Sequence, residues 1–342
     1  MKFDVVVGNP PYQVAGEARD EPIFHHFYEL ADKVAIRYCL ISPARFLFNA
    51  GQTPKAWNLK MLSKDDLKVA FYEQDSSKIF TGKDIPGGIA VLYHDKKQKF
   101  EPIGSFSHLP ELTSITNKVR KLNEASFSEL VKPQGIYRFS SEFFNDFPQA
   151  EGMQGKGTKN KIVSKSLAAM DFAFFEEPNE KSTIKILGLV NRKRTYKWIN
   201  KKYLSYPDSF NEWKVLVPEA NGSGAIGEVP STPLIGKPVL APPLTGHTDT
   251  FLTIGGFETK VECENVFKYI QTKFARTLLG TLKTTQHNSR STWKNIPIQN
   301  FKLKSDIDWS KPISEIDQQL YKKYGLSAAE IEFIETKVKA MD

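Results

Sequence analysis

Apolar positions along the chain follow two rhythms, and the change between them falls near residue 126. Phe3-Asp4-Val5-Val6-Val7 is a mostly β-branched run that halts at Gly8-Asn9-Pro10-Pro11-Tyr12, which predicts a short buried strand feeding a rigid turn. Ile23, Phe27, Leu30, Ala31 and Val34 recur at helical spacing and predict an amphipathic helix over residues 21–36. Residues 38–48, 66–73 and 88–93 read as further strands, the last two separated by a loop carrying Gly82, Pro86, Gly87 and Gly88. Strand, helix and then more strands is an α/β order. A connecting helix at 111–124 comes next. Beyond it, short mixed segments alternate with Gly- and Pro-bearing loops, the texture of an irregular α+β domain with one strong helix at 262–279. Two tail helices are expected at 313–323 and 327–339, the second opening on a capping box, Ser327-Ala328-Ala329-Glu330. The predicted organisation is a domain at 1–110, a connector at 111–125, a second domain at 126–305 and a helical tail at 306–342.

Composition narrows the class. Apolar residues make up 40% of the 342 and charged residues 25%, enough for a packed core and against wholesale disorder. No apolar run approaches the roughly 18 residues of a membrane-spanning helix, and the first seven residues lack a signal-peptide pattern. Cys39 and Cys263 are the only cysteines, too few for a disulfide framework or a cysteine-built zinc site. A soluble, cytoplasmic protein without membrane contact is expected. The net charge of +8 is unevenly spread: residues 1–155 balance to zero, 156–203 carry 12 basic against 4 acidic side chains, and 268–304 carry 8 basic and no acidic ones. Two basic blocks separated by acidic stretches suggest surfaces for a polyanion, or two solvated lysine-rich faces.

The turn after the first strand carries the candidate chemistry. Pro10 and Pro11 have no backbone N–H and a fixed φ, and Asn9 and Pro10 are pushed towards extended conformations by the prolines after them. The turn therefore presents the Asn9 amide and the Pro10 carbonyl beside the Tyr12 ring, two acceptors next to an aromatic plate. This stretch resembles motif IV, Asn-Pro-Pro-Tyr, of the amino-methylating adenine-specific DNA methyltransferases. The resemblance implies that Asn9 and Pro10 accept hydrogen bonds from the amino group of an adenine flipped out of double-stranded DNA. It implies that Tyr12 stacks on the base, that Pro11 stiffens the turn and that S-adenosylmethionine supplies the methyl group. Phe80, in Lys78-Ile79-Phe80-Thr81-Gly82, stands where the family's second aromatic falls; packing in the core is the other reading of it. The later half is similar to the target-recognition region of type IIG restriction–modification methyltransferases, through Glu264-Asn265-Val266, Tyr269-Ile270-Gln271-Thr272-Lys273-Phe274, Lys283-Thr284-Thr285-Gln286, Ile296-Pro297-Ile298-Gln299 and the ending from Glu315 to Leu326. The implied fold class is α/β: a partial Rossmann-like methyltransferase sheet with its later strands only, then a target-recognition domain and a tail. In the family's usual order the cofactor-binding half precedes the Asn-Pro-Pro-Tyr motif, so an upstream segment or a separate chain is expected to supply it.

One passage competes for the cofactor role. Lys214 to Pro218 followed by Glu219-Ala220-Asn221-Gly222-Ser223-Gly224-Ala225 reads as a strand running into a Gly-x-Gly turn, the arrangement of a permuted methyltransferase. Against it, Pro230, Pro233 and Pro238 interrupt any subsequent helix, so the cofactor-binding residues stay unassigned. No metal site is expected: His25-His26 reads as helix surface, without spaced partners. Tyr206-Pro207-Asp208 and Glu212-Trp213-Lys214 mimic a nuclease signature at too short a spacing, and the Gly152–Gly157 stretch lacks the order of a phosphate-binding loop. Arg192, Lys193, Arg194 and Lys197, interleaved with Tyr196 and Trp198, form one candidate DNA surface; Lys283, His287, Asn288, Arg290 and Lys294 form a second. Two readings result, a site-specific DNA adenine methyltransferase or a non-catalytic DNA-binding specificity module with a vestigial catalytic strand. Both require that affinity for duplex DNA fall on the order of 10³–10⁵-fold between about 50 and 200 mM salt for roughly 6–10 phosphate contacts. A salt titration by fluorescence anisotropy checks this, and a flat response removes the polyanion reading of the basic blocks.

Overall fold

The computed structural model describes all residues except 1, 2, 16–19, 49, 50, 83, 84, 86, 105, 108, 156, 159, 222–225, 227–232, 284, 285 and 342. It divides into two compact units, residues 1–117 and 118–342. No described helix is long and apolar enough to cross a membrane.

The first unit contains β1 (Phe3–Gly8), the short β2 (Gln13–Val14) and β3 (Glu21–Pro22), α1 (Phe24–Val34), β4 (Ala35–Pro43), α2 (Lys55–Ser63), β5 (Leu67–Glu73) and β6 (Ile89–Asp95). Four of these strands form one mixed sheet in the order β1-β4-β6-β5, with β1 parallel to β4 and β6 antiparallel to both of its neighbours. α1 is the crossover that parallel pairing of β1 and β4 demands. It is shorter than the 16 residues its apolar spacing predicts, because Glu21–Pro22 pairs as a strand and Ala35 already belongs to β4. Its inner face sets Phe24 and Tyr28 against Leu40, Phe46, Trp57 and Leu92, each large apolar side chain contributing about 1.5–3 kcal/mol through burial. The buried Tyr28 hydroxyl is satisfied by the Leu40 carbonyl at 3.2 Å and by Ser42 at 2.9 Å. α2 has no counterpart among the expected elements.

The sequence expectation of a buried β1 is corrected. Among the described strands only β4 pairs with it, and Phe3, Val5 and Val7 are 47%, 49% and 74% exposed. A β-branched composition records a strand that suits a sheet, not which of its sides is covered.

α3 (Pro110–Lys121) holds the division point. The second unit continues with β7 (Arg138–Phe139), α4 (Ser141–Asp146), α5 (Ala150–Met153), α6 (Ser164–Ala169), β8 (Ile184–Val190), β9 (Lys193–Ile199), β10 (Leu204–Ser205), β11 (Trp213–Pro218), β12 (Val239–Ala241), β13 (Thr245–His247) and β14 (Phe251–Phe257). The helices α7 (Lys260–Tyr269), α8 (Lys273–Gly280), α9 (Ile313–Lys323) and α10 (Ala328–Lys337) close it. Its strands make two three-stranded sheets, β13-β8-β9 and β12-β11-β14, and the small pair β10-β7.

The single helix expected at 262–279 is two. Thr272 caps α8 by accepting the Ala275 N–H at 3.1 Å, and the buried Asp317 carboxylate accepts those of Lys273 and Phe274 at 3.0 and 2.9 Å. Those first-turn N–H groups have no partner within their own helix, so Asp317 satisfies them where the break occurs. The capping box of α10 is present, with Ser327 and Glu330 bonding reciprocally.

Backbone shape in the loop before β6 depends on glycine. Gly88 sits at φ 79°, where a Cβ would lie 2.3 Å from the Glu73 carbonyl oxygen and 2.7 Å from the Gln74 Cα. Gly88→Ala is expected to cost about 1–3 kcal/mol for the left-handed backbone and the clash together, read as a lowered denaturation midpoint with an unchanged slope.

Candidate active site and basic surfaces

Asn9 leaves the sheet where the β1–β4 ladder ends, at the Gly8–Leu40 pair. Pro10 is buried, while Asn9 and Pro11 are exposed and Tyr12 is half-buried. The exit is pinned to the start of α1: the Ile23 N–H donates to the Tyr12 carbonyl at 3.1 Å, Gln13 pairs with Pro22 in the β2–β3 ladder, and the Gln13 amide donates to Asp20 at 2.6 Å. Two rigid prolines and this clamp leave the Asn9 side chain with little freedom of placement.

Asn9, Tyr12 and Phe80 line one cavity of 720 Å³, together with Phe24, Pro43, Arg45 and Phe46. That volume lies within the roughly 300–1,000 Å³ of small-molecule sites, and the cavity sits outside the carboxyl ends of the parallel strands β1 and β4, the ordinary ligand position of an α/β sheet. Burial pushes the Tyr12 hydroxyl pKa up, and the Asn9 side chain beside it partly offsets this. Phe80 is held by Ser76, whose carbonyl accepts the Phe80 N–H at 2.8 Å and whose hydroxyl accepts the Ile85 N–H at 2.8 Å. Two aromatic rings and a carboxamide lining one cavity suit a planar heterocycle bearing an amino group. Sequence reasoning missed Arg45. It comes after β4 at the same strand-end level as the cavity, and Gly87 at φ 86° leaves room for its stem, since a Cβ there would lie 2.5 Å from the Arg45 Cγ. A basic residue just past a strand end in an α/β order was the available signal.

His25 corrects the surface reading of the histidine pair: it is buried against Phe24 and Trp57, whereas His26 is exposed. Burial, then the neighbouring His26, lowers the His25 pKa. Among the described residues no group of three or more His, Cys, Asp or Glu side chains is placed to hold a metal.

In the second unit, Arg192, Lys193 and Arg194 are exposed on the β8–β9 hairpin. Arg194 is spent locally, donating to the Lys237 carbonyl and lying 5.7 Å from the Phe251 ring centroid, and Lys197 pairs with Glu176. Lys294 is exposed, and Arg290 is exposed with its Nε donating to the Ser128 carbonyl at 2.8 Å. His287 faces the Glu219 carboxylate at 3.0 Å. Lys283 and Asn288 do not join this surface: both are buried, each donating to the Asn221 Oδ1, at 3.2 and 3.1 Å. Their chain neighbours are basic or polar, so spacing read them as outward; the pairing of residues 219–221 with 286–288 turns them inward. β11, which precedes the Gly-x-Gly stretch, is antiparallel to both β12 and β14. That is not the parallel strand–turn–helix setting of a nucleotide-binding glycine turn, and Gly222–Ala225 themselves lie outside the described residues, as does Lys156 of the Gly152–Gly157 loop.

Residues 1–80 match the family described as Eco57I restriction-modification methylase. The match takes in both the Asn9–Tyr12 turn and Phe80. An uncharacterized adenine-specific methylase of Mycoplasma pneumoniae is 34% identical over 130 residues, 36% of this chain and 31% of that protein. The chain thus spans about a third of the length of the curated relative it matches. Among solved structures it aligns with the type IIG restriction endonuclease BpuSI at a TM-score of 0.32 and 11% identity, over 97% of this chain and 52% of that one. It aligns with the type IIL restriction-modification enzyme MmeI in complex with DNA at 0.37 and 13%, over 98% and 56%. Both TM-scores are low, so the methylase likeness rests on the first 80 residues and on the Mycoplasma relative.

The two kinds of polar residue in the second basic block separate in a denaturation experiment. Asn288→Ala removes a buried amide that bonds the half-buried Asn221 and Pro218 oxygens and is expected to cost about 1–3 kcal/mol. Lys294→Ala, at an exposed position, is expected to stay within about 0.5 kcal/mol of the parent.

Proposed function

We propose that the chain is the base-binding and DNA-recognition part of a site-specific DNA adenine methyltransferase of the restriction–modification type. The observation that carries this is the convergence of Asn9, Tyr12 and Phe80 on one cavity at the ends of β1 and β4; the methylase match over the same residues supports it. In this reading the Asn9 Oδ1 and the Pro10 carbonyl each accept one N–H of the adenine amino group, which concentrates its lone pair on the nitrogen for attack. Tyr12 and Phe80 hold the flipped ring between them, returning part of the few kcal/mol that unstacking costs. S-adenosylmethionine, when bound, supplies the methyl group. The described residues do not offer a glycine turn after a parallel strand to hold that cofactor, and no step is assigned to them in its binding. The uncovered side of β1, with Val5 and Val7 outward, is the surface on which a cofactor-binding half from an upstream segment or a separate chain would pair.

The exposed cations of the second unit favour a second reading, a DNA-binding specificity module in which the strand-end turn is vestigial. Calorimetry with S-adenosylmethionine, with and without duplex DNA, tests whether this chain holds the cofactor by itself. Cofactor binding marks an autonomous enzyme; duplex binding without it marks the module, or half of an enzyme. In the methylating protein, Asn9→Ala is expected to abolish transfer of a labelled methyl group to adenine and to leave duplex affinity unchanged. Retained transfer excludes Asn9 from the chemistry.

A further inference from the structure

The β8–β9 ribbon ends in a turn that ordinary hairpin chemistry does not explain. Val190 pairs with Lys193, which leaves Asn191-Arg192 as a two-residue loop with φ 49° and 63°. Two successive positive φ values define the mirror-image turn that matches strand twist, and its favoured sequence is Asn-Gly. Asn191 is the favoured first residue, but Arg192 occupies the glycine position, where a Cβ strains the backbone. Residues kept in such conformations concentrate where function holds them. Arg192 is exposed, and among the described residues its guanidinium has no partner; the Lys193 ammonium beside it has none either. The cations further along β9 are already engaged, Arg194 with the Lys237 carbonyl and Lys197 with Glu176.

The base of the ribbon is rigid. β13 pairs parallel with β8, the Ser164 hydroxyl accepts the Leu189 N–H at 2.9 Å, and Gly188 lies so close to Leu167 and Thr248 that a Cβ would approach them to 2.6 and 2.8 Å. Exposure rises from the buried Gly188 through the half-buried Leu189 and Val190 to the exposed tip. A stiff two-stranded ribbon with two exposed cations at its end matches the major groove of duplex DNA, which is about 12 Å wide and admits such a ribbon.

We infer that the β8–β9 ribbon enters the major groove of double-stranded DNA with Arg192 leading, in contact with a base edge. This rests on the DNA-binding part of the proposed function and is independent of Asn9. Arg192→Gly makes the turn Asn-Gly and separates strain from binding. It is expected to raise Tm by about 2–4 °C for a unit of this size and to weaken binding to a fluorescein-labelled mixed-sequence duplex about tenfold. Arg192→Asn, which also tolerates a left-handed backbone, is expected to show the same loss. Lys337→Ala, in the last turn of α10, removes an equal charge and is expected to leave affinity unchanged. The major-groove ligand methyl green is expected to displace the protein and the minor-groove ligand netropsin to leave it bound.

Unchanged affinity in both Arg192 variants, or displacement by netropsin instead of methyl green, overturns the inference while duplex binding by the parent chain keeps the DNA reading. A parent chain that fails to bind duplex at low salt removes both.

Discussion

Parallel pairing of β1 with β4 is the constraint on which the first unit depends. It forces a crossover, and α1 provides it with an apolar face that becomes the core. It also brings two carboxyl strand ends to the same level, so that the residues just past each strand face the same space. After β1 come Asn9 and two prolines; β4 ends on Pro43, and Arg45 follows two residues on. Antiparallel pairing would have put the Asn9 turn beside the start of β4 instead. The cavity is a consequence of strand direction before it is a consequence of any side chain.

A strand-end site needs a second wall, and in this unit it comes from the loop between β5 and β6. Ser76 bonds to that loop on both sides of Phe80, and Gly87 and Gly88 let it fold back against Arg45 and the Glu73 carbonyl. The Gly88 carbonyl in turn accepts the Ala44 N–H at 2.9 Å. Phe80 is therefore tied through short contacts to the residues beyond the end of β4. This coupling suits the proposed base clamp: Tyr12 is tied to the end of β1, and Phe80 through Ser76 and the Gly88 carbonyl to the end of β4.

The features legible in the sequence were local ones. The Asn9–Tyr12 turn comes from fixed proline dihedrals, the helix Ile313–Lys323 from apolar spacing, and the α10 cap from two residues three apart. Phe80 was legible only through family resemblance, since nothing in its own neighbourhood points to the cavity. The features that escaped were made by distant partners. The break between α7 and α8 is stabilised by Asp317, 44 positions beyond Lys273. Lys283 and Asn288 are turned inward by Asn221, 62 and 67 positions earlier. The uncovered side of β1 is a property of sheet order, which a strand pattern does not contain. Polar residues were misread more readily than apolar ones because their partners, not their types, decide which way they face.

The same dependence on partners decides how much of a segment's net charge reaches solvent. Residues 268–304 hold eight cations and no acid, yet several of those cations are turned inward or already engaged. Lys268 donates to the Trp309 carbonyl, Lys273 pairs with Glu335, Arg276 is buried among carbonyls, and Lys283 is buried at Asn221. Lys214 is an extreme case outside the block: fully buried beneath backbone carbonyls, its ammonium is pushed down to about 8 by desolvation. Arg290, Lys294, Lys302 and Lys304 remain exposed. A cation already held by a carbonyl or a carboxylate has little left to offer a phosphate, and one below the surface cannot release a counterion by reaching it. Under the proposed function, the salt sensitivity of DNA binding tracks the outward cations and not the formal charge of the block. The hairpin block has the same formal charge but presents more of it outward, with its least engaged cations at the end of a rigid ribbon. Equal charge in two segments thus amounts to unequal surfaces, and the difference is set by hydrogen bonds within the protein.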